Sequence, residues 1–303
     1  MMASQLPAPH PDRVRRLTAI NVEDLLRSFR VDHIKIARGI FRLAARGPAR
    51  WFARQVAIYD RLVGERGLAA GAAWILDRLD MSVSARDTHH VPDAGPVLVV
   101  SNHPGLGDTM ALAATLPRTD LRYIAYRRPF LQELENTRRY LIEIDEEDSG
   151  RRMAGFRQAG RYLDDGGMVI TFPGGRIDPD PYAVPGAIAA LDRWSESIAV
   201  FVKRQPDLVI LPVLIGGVLS RGALEHPLVQ LYRSRATRQW TAATLQLVLP
   251  AYRYANIEVT YGEPLHATDL RGLKRQAVLE HTRDAMRTLI VRHGLPDYYQ
   301  ESS

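Results

Sequence analysis

The chain has 303 residues, of which 46% are hydrophobic and 24% are charged. These fractions are typical of globular domains, and they exclude a wholly disordered or collagen-like chain. Cysteine is absent, which excludes disulfides, thiolate chemistry and zinc or iron–sulfur sites with cysteine ligands.

The balance of charge is basic, with a formal net charge of +6 at pH 7. Such a surplus suits an acidic partner: a phosphate-bearing substrate, an anionic membrane surface, an acidic carrier protein or nucleic acid. Residues 1–17 are polar and lack the apolar core of a signal peptide. The longest apolar runs are shorter than the ~20 residues that a membrane-spanning helix needs. We therefore expect a soluble protein of the cytoplasm.

The pattern of apolar residues changes near residue 85. Residues 1–85 predict a helical N-terminal subdomain with a flexible start, in which Gly47-Pro48 ends one helix and begins another. In residues 86–303, short Val/Ile/Leu runs alternate with helical stretches, as in a sheet covered on both faces. The predicted fold class is α/β, with a mixed, largely parallel sheet flanked by helices. The predicted strands are 96–100, 121–126, 167–172, 208–215 and 256–261.

A regular series of arginines lies in the helical part, at Arg38, Arg42, Arg46, Arg50 and Arg54. On a helix this four-residue spacing gives one slowly drifting stripe, and the stripe has apolar neighbours. Basic helices with apolar neighbours are typical of segments that lie on anionic lipid surfaces. The alternative is a solvated helix face whose apolar residues belong to the core.

The most informative segment is Asn102-His103-Pro104-Gly105-Leu106-Gly107-Asp108, between a predicted strand and a predicted helix. It places His103 at the carboxyl edge of a sheet, where open α/β sheets bind ligands. A neutral imidazole can accept a hydroxyl proton at pH 7, and a carboxylate on its other nitrogen fixes the tautomer. We predict that His103 is a general base oriented by Asp108. The alternative is a loop histidine beside a helix N-cap.

No protein nucleophile accompanies this pair, since Gly-x-Ser-x-Gly does not occur and cysteine is absent. The attacking hydroxyl is therefore expected to come from the substrate. No metal site is predicted, because the acidic run 145–148 lacks the spacing of a calcium loop.

Several arginines are candidates for binding a phosphate. Gly174-Gly175-Arg176 follows a predicted strand, so backbone N–H groups and a guanidinium can converge on one anion. The pairs Arg127-Arg128 and Arg151-Arg152 are further candidates, because strand-end loops lie together at one edge of a sheet. For each of these arginines, an exposed surface position is the alternative.

Five blocks of the sequence, in order along the chain, resemble those of the glycerolipid acyltransferases, the glycerol-3-phosphate and lysophosphatidate acyltransferase superfamily. Asn102-His103 with Asp108 resembles the His-x4-Asp block. The other similar blocks are the strand and basic turn at 123–128, the Phe-Pro-Glu-Gly block at 167–176, the proline-bearing strand at 211–213 and the late strand ending in Gly-Glu-Pro at 259–264.

The third block departs from the family pattern at two points, the acidic residue and the arginine, since Arg176 falls one position earlier than the arginine usual in this block. Gly174 stands where the Phe-Pro-Glu-Gly block has its acidic residue. The run Gly174-Gly175-Arg176 is more similar to the soluble plastid-type glycerol-3-phosphate acyltransferases, which also have a helical N-terminal subdomain.

The resemblance implies an O-acyltransferase of phospholipid biosynthesis. Such an enzyme moves a fatty acyl group from acyl-CoA or acyl-carrier protein to a hydroxyl of glycerol-3-phosphate or a related phospholipid precursor. It implies His103 as general base, Asp108 as its orienter and Arg176 at the acceptor phosphate. No cofactor is expected beyond the acyl thioester, which is a substrate. A non-catalytic lipid- or acyl-binding protein on the same fold is the alternative. Peripheral contact of the arginine stripe with an anionic membrane stays the alternative to a solvated helix face, and nucleic-acid binding is not expected.

Overall fold

The computed structural model describes residues 9–29 and 35–294. The start of the chain, predicted to be flexible, lies outside the described residues as far as residue 8. The strands are β1 (Met81–Arg86), β2 (Val97–Ser101), β3 (Leu121–Tyr126), β4 (Leu141–Ile144), β5 (Met168–Thr171), β6 (Val209–Gly216), β7 (Ala255–Tyr261) and β8 (Leu265–His266). The α-helices are α1 (Pro11–Ser28), α2 (Lys35–Arg66), α3 (Leu68–Arg78), α4 (Asp108–Thr115), α5 (Pro129–Gln132), α6 (Ser149–Asp164), α7 (Ala187–Ala190), α8 (Ser197–Arg204), α9 (Arg221–Glu225), α10 (Pro227–Gln230), α11 (Arg235–Val248), α12 (Ala267–Leu270) and α13 (Arg275–His293).

The described strands form one sheet in the order β1-β7-β6-β2-β5-β3-β4, with the short β8 beside β6. Strands β6, β2, β5, β3 and β4 lie side by side in this order, and each of these adjacent pairs is parallel. β7 is antiparallel to β6, β1 is parallel to β7, and β8 is antiparallel to β6. The sheet is mixed and largely parallel, so the predicted fold class is confirmed. The loops after β5 and β6 lie on either side of the loop after β2.

Helices cover both faces of the sheet. Along β2, Val97 and Val99 pack into one apolar cluster, and Leu98 and Val100 pack into the other. The first cluster includes residues of α1 to α4, and the second includes residues of α6, α8 and α13. Each fully buried Val or Leu side chain contributes about 1.5–3 kcal/mol to folding. The loop after β2 therefore starts from a firmly packed strand.

The N-terminal helices and the sheet share one of these cores. Leu17 of α1 and Ile75 of α3 belong to the same cluster as Val97. Strand β1 lies across the boundary predicted between residues 85 and 86, and it pairs with β7 along its whole length. Sequence analysis missed β1 because most of its residues are exposed, so it lacks the apolar run expected of a buried strand.

The break predicted at Gly47-Pro48 is wrong, because α2 continues through Pro48. Proline removes one backbone donor and crowds the preceding turn, which normally ends a helix. Here Ala45 and Ala49, on either side of Pro48, are buried in a cluster with Leu26 of α1. This packing against α1 stabilises α2 on both sides of the proline. None of the described helices is both long and apolar enough to cross a bilayer.

A buried carboxylate joins the first two helices to the region after α5. Asp60 of α2 is fully buried. Its Oδ2 accepts a hydrogen bond from Arg13 Nη2 at 2.5 Å, and its Oδ1 accepts the backbone N–H and the hydroxyl of Thr137 at 2.8 and 2.7 Å. Burial alone would raise the pKa of Asp60, but these donors outweigh it and hold the pKa below its ordinary value.

Candidate active site

The loop after β2 begins with an asparagine that joins two strands. Asn102 is buried. Its Nδ2 donates to the carbonyl oxygen of Ile215 in β6, and its Oδ1 accepts the N–H of the same residue, each at 2.8 Å. The amide thus extends the β2–β6 ladder by one residue and fixes the point at which the chain leaves the sheet.

His103 follows at the predicted strand edge, and its ring contacts Asp108. His103 Nδ1 lies 2.6 Å from Asp108 Oδ2. Asp108 is fully buried at the start of α4, and it also accepts the N–H groups of Gly105 and Thr109. A carboxylate surrounded by donors accepts the hydrogen of Nδ1, which leaves the Nε2 lone pair free in the neutral ring. Nε2 has no hydrogen-bond partner among the described residues, and the side chain is 28% exposed.

The charge state of His103 is set by two opposing effects. Burial lowers the pKa of His103, whereas the charge and hydrogen bond of Asp108 and the charge of Asp178 raise it. The attractive effects prevail, so the pKa lies above the ordinary value of 6.5. This environment stabilises an imidazolium, which is the state that a general base enters when it accepts a proton.

The two glycines of the loop leave space for apolar side chains. A Cβ at Gly105 would lie 2.7 Å from Val218, and one at Gly107 would lie 3.1 Å from both Ile257 and Met81. A side chain at either position would therefore displace the loop or its neighbours.

The loop after β5 contacts His103 from the other side. The ring of Phe172 stacks on the His103 ring, with 4.7 Å between centroids and 28° between planes. The backbone N–H of His103 donates to Asp178 Oδ2 at 3.1 Å, and the backbone N–H of Asp178 donates to the His103 carbonyl oxygen at 2.8 Å. His103 is thus held by its side chain, its ring face and its backbone.

Two buried carboxylates two residues apart hold the loops together. Asp178 Oδ1 accepts Arg193 Nη2 at 3.0 Å, and burial raises the pKa of Asp178 to about 6 although His103 and Arg193 lower it. Asp180 is fully buried and accepts the N–H groups of Gly217 and Leu219, each at 2.9 Å. The loop after β5 is therefore bound to the loops after β2 and β6.

Arg176 lies in this loop and is exposed. Its side chain makes no hydrogen bond or ion pair with the described residues, so its guanidinium is free to bind a ligand. Gly175 before it has a φ of +62°, a left-handed conformation that favours glycine. The predicted group Gly174, Gly175 and Arg176 thus lies in the same loop as Asp178, beside His103.

The two predicted arginine pairs lie farther along the sheet edge. Arg127 and Arg151 line a cavity of about 310 Å³ beside β4. β4 is three strands from β2, or roughly 14 Å at the usual strand spacing. Arg128 donates to Glu146 at 3.1 Å. Arg152 donates to the backbone carbonyl oxygens of residues 145 and 146. The structure therefore does not bring these four arginines next to His103.

The part of the sequence that forms this site is similar to a known protein family. Residues 82–216 match the family model described as Acyltransferase. The segment that contains His103 and Asp108 is therefore similar to the acyltransferase family. The matched segment runs from β1 to the end of β6 and includes His103, Asp108, Asp178 and Arg193.

No curated protein sequence matches this chain. Its structure is similar to the crystal structure of the 1-acyl-sn-glycerophosphate (LPA) acyltransferase PlsC from Thermotoga maritima, at 13% sequence identity. That similarity covers 93% of this chain and 94% of the other, with a TM-score of 0.42. The similarity to the acyltransferase family rests on the sequence match over residues 82–216 alone.

Sequence analysis missed three charged residues at the site. Asp178 and Asp180 occur in Asp-Pro-Asp-Pro, which follows Gly-Gly-Arg after one residue, Ile177. Two acidic residues, each followed by a proline, shortly after a predicted strand are the sequence signal for them. Arg193 has no such signal. It reaches Asp178 from the 3-10 turn Leu191–Arg193, which only the tertiary structure brings there.

Proposed function

We propose that the protein transfers a fatty acyl group from a thioester to a hydroxyl of a phosphate-bearing glycerolipid precursor. The observation that carries this proposal is the His103–Asp108 pair. Its geometry is that of an oriented general base at the carboxyl edge of the sheet, within an acyltransferase-family segment. Glycerol-3-phosphate and lysophospholipids are the acceptors that we propose, and acyl-CoA and acyl-carrier protein the donors.

The proposed reaction has one proton path. His103 Nε2 accepts the proton of the acceptor hydroxyl, and the oxygen attacks the thioester carbonyl carbon. Asp108 holds the ring and stabilises the imidazolium. The tetrahedral intermediate then expels the thiolate as its carbon–sulfur bond breaks, and the imidazolium returns the proton to the sulfur. The balanced products are an ester and a free thiol, with the enzyme unchanged.

An acceptor screen tests this function. The protein is incubated with one labelled acyl donor and a panel of glycerol-3-phosphate, lysophosphatidate, other lysophospholipids and non-phosphorylated alcohols, and products are detected by mass. Running acyl-CoA and acyl-carrier protein in parallel identifies the donor. We expect acylated product from at least one phosphorylated acceptor.

A non-catalytic lipid- or acyl-binding protein remains the second candidate, because Gly174 replaces the acidic residue of the family block. Binding alone needs no general base, and the intact His103–Asp108 pair favours catalysis. Retention of the acyl donor without any acylated product in the screen would favour the binding protein.

Arg176 is proposed to bind the acceptor phosphate. A charge-assisted contact contributes about 1.5–3 kcal/mol, so Arg176→Ala should lower kcat/KM for the acceptor roughly 10- to 150-fold. The KM for the acyl donor should change little. Initial rates at varied acceptor and donor concentrations measure both effects. A decrease of less than about twofold in kcat/KM for the acceptor would show that Arg176 does not bind the acceptor phosphate.

The exposed face of α2 is proposed to contact an anionic membrane surface. Ile40 and Leu43 are 68% and 72% exposed. Arg46, Arg50 and Arg54 follow on the same side of the helix, and among the described residues they have no ion-pair partner. Arg38 and Arg42, in contrast, both pair with Glu23 of α1. The stripe thus combines exposed apolar side chains with three unpaired cations.

Vesicle co-sedimentation tests this surface. Binding should occur with anionic vesicles and weaken with salt, since each basic residue near the surface adds about 1 kcal/mol of screened attraction. Replacing the three free arginines, Arg46, Arg50 and Arg54, with Gln should reduce binding strongly. The control variant replaces Arg157, Arg161 and Arg271, which are exposed elsewhere, and has the same net charge. Equal binding by the two variants, or by neutral vesicles, would refute the stripe as the contact.

A further inference from the structure

The carboxylate of Asp178 lies against Gly174, the residue at which the sequence departs from the family block. A Cβ built on Gly174 would lie 3.1 Å from Asp178 Oδ1 and 3.3 Å from Oδ2. A larger side chain at position 174 would therefore occupy the place of this carboxylate. Residue 174 thus carries no carboxylate, but the carboxylate of Asp178, four positions later in the chain, lies at that place in the structure.

The contacts of Asp178 converge on the backbone of His103. Only 2% of the residue is exposed. One oxygen accepts the N–H of His103 and the other accepts Arg193, whose side chain is 46% exposed. The backbone of Asp178 also donates to the His103 carbonyl oxygen. One residue thus fixes the backbone of the base on both sides and places a negative charge beside it.

We propose that Asp178 is a positioning residue for the general base His103, and that it replaces in space the acidic residue absent at Gly174. Arg193 anchors the second oxygen of Asp178 and so holds the first oxygen on His103. Asp178 stabilises the imidazolium that forms when the acceptor hydroxyl loses its proton. This inference rests on the proposed acyl transfer, because it assigns a role in that reaction.

The charged groups that bear on the His103 ring come from two elements. Asp108 contributes from α4 and Asp178 from the loop after β5, while Arg193 lies behind Asp178. Loss of the Asp178 charge should therefore lower the affinity of the ring for a proton. The protonated, inactive form of the base would then appear at lower pH than in the wild type.

The first test is Asp178→Asn, which keeps an oxygen for the His103 N–H and removes the charge. With the best donor and acceptor of the screen, kcat should fall about tenfold or more, the scale of one charge-assisted hydrogen bond. Both KM values should stay within about threefold, and the acidic limb of the pH–rate profile should move to lower pH. An unchanged kcat, or an unmoved acidic limb, would overturn the proposal.

The second test moves the carboxylate back to position 174. Asp178→Ala should lose more activity than Asp178→Asn, and the double variant Gly174→Asp/Asp178→Ala should recover at least about tenfold of the lost kcat. The backbone hydrogen bond from residue 178 to His103 remains in every variant. A folded double variant no more active than Asp178→Ala would contradict the replacement in space.

Two controls separate positioning from stability. Asp180→Asn alters a buried carboxylate that accepts backbone N–H groups and does not contact His103, so it should lower Tm without moving the acidic limb. Asp164→Asn alters a remote Asp–Arg pair with Arg204 and should leave kcat and the pH profile unchanged.

A wild-type protein that acylates no acceptor would refute the proposed function, whereas an active wild type with an unaffected Asp178→Asn variant would refute this inference alone.

Discussion

Replacing His103 with glutamine should lower kcat of acyl transfer by about 100- to 10,000-fold, the range over which general bases act. Glutamine approximates the size of the ring and can still hydrogen-bond to Asp108, but it cannot accept a proton at neutral pH. The Asn102–Ile215 and His103–Asp178 backbone contacts remain, so the loop should stay in place. Initial rates with labelled donor, together with thermal unfolding of the same preparation, separate lost chemistry from lost fold.

The matched control is His266→Gln, which alters an exposed histidine in β8. It should have the wild-type rate. A His103→Gln variant that retains more than about half of the wild-type kcat would exclude His103 as the base that limits the reaction.

The pH dependence of kcat/KM provides a second test of His103. A general base acts in its neutral form, so kcat/KM should fall as the pH decreases through the pKa of His103. Because Asp108 and Asp178 raise this pKa above 6.5 despite burial, the midpoint of the acidic limb should lie above 6.5. The limb should disappear from the residual activity of His103→Gln.

Replacing Asp60 with alanine should destabilise the protein by about 3–5 kcal/mol, the cost of removing one partner of a buried ion pair. Arg13 would lose its carboxylate, and the N–H and hydroxyl of Thr137 would lose their acceptor. A typical domain has only about 5–15 kcal/mol of stability, so this single change consumes a large part of it. Urea unfolding of the wild type and the variant measures the difference.

The control for Asp60 is the exposed pair of Asp164 and Arg204. Because surface ion pairs contribute about 0–1 kcal/mol, Asp164→Ala should shift the midpoint of unfolding only slightly. Equal shifts for Asp60→Ala and Asp164→Ala would mean that the contacts of Asp60 do not hold the first helices to the rest of the molecule.

The strands that could be predicted from the sequence are those in which neighbouring residues form a clear run or alternation of apolar side chains. The central strands β2, β3, β5, β6 and β7 are Val/Ile/Leu-rich or alternate clearly, and they were located to within a residue or two. Strand β4 has only four residues, two of them polar or half-buried, and β1 is mostly exposed, so neither has a local signal. At Pro48 the local rule failed because packing of α2 on α1 outweighs the lost hydrogen bond.

The residues of the candidate site also divide into those that one sequence segment predicts and those that only the tertiary structure brings there. His103 and Asp108 are five residues apart and could be predicted from one segment, since a strand, a turn and a helix bring them together. Asp178 and Arg193 reach the site through parallel strand pairing, which no local spacing encodes. Arg127 and Arg151 were grouped with the site because all strand-end loops share an edge, yet the strand order places them at its far end.

The hydrogen bonds of Asn102 with Ile215 join residues that are 113 positions apart in the chain. Synthesis proceeds from the N-terminus, so the His103 loop leaves the ribosome well before β6 exists to hold it. Contacts of such long range form late in folding because the intervening chain must first be ordered. A nascent chain that stops before β6 would lack Ile215, Gly217 and Leu219, and with them the partners of Asn102 and Asp180. The His103 ring should therefore take up its position beside Asp108 and Asp178 only after the parallel part of the sheet is complete.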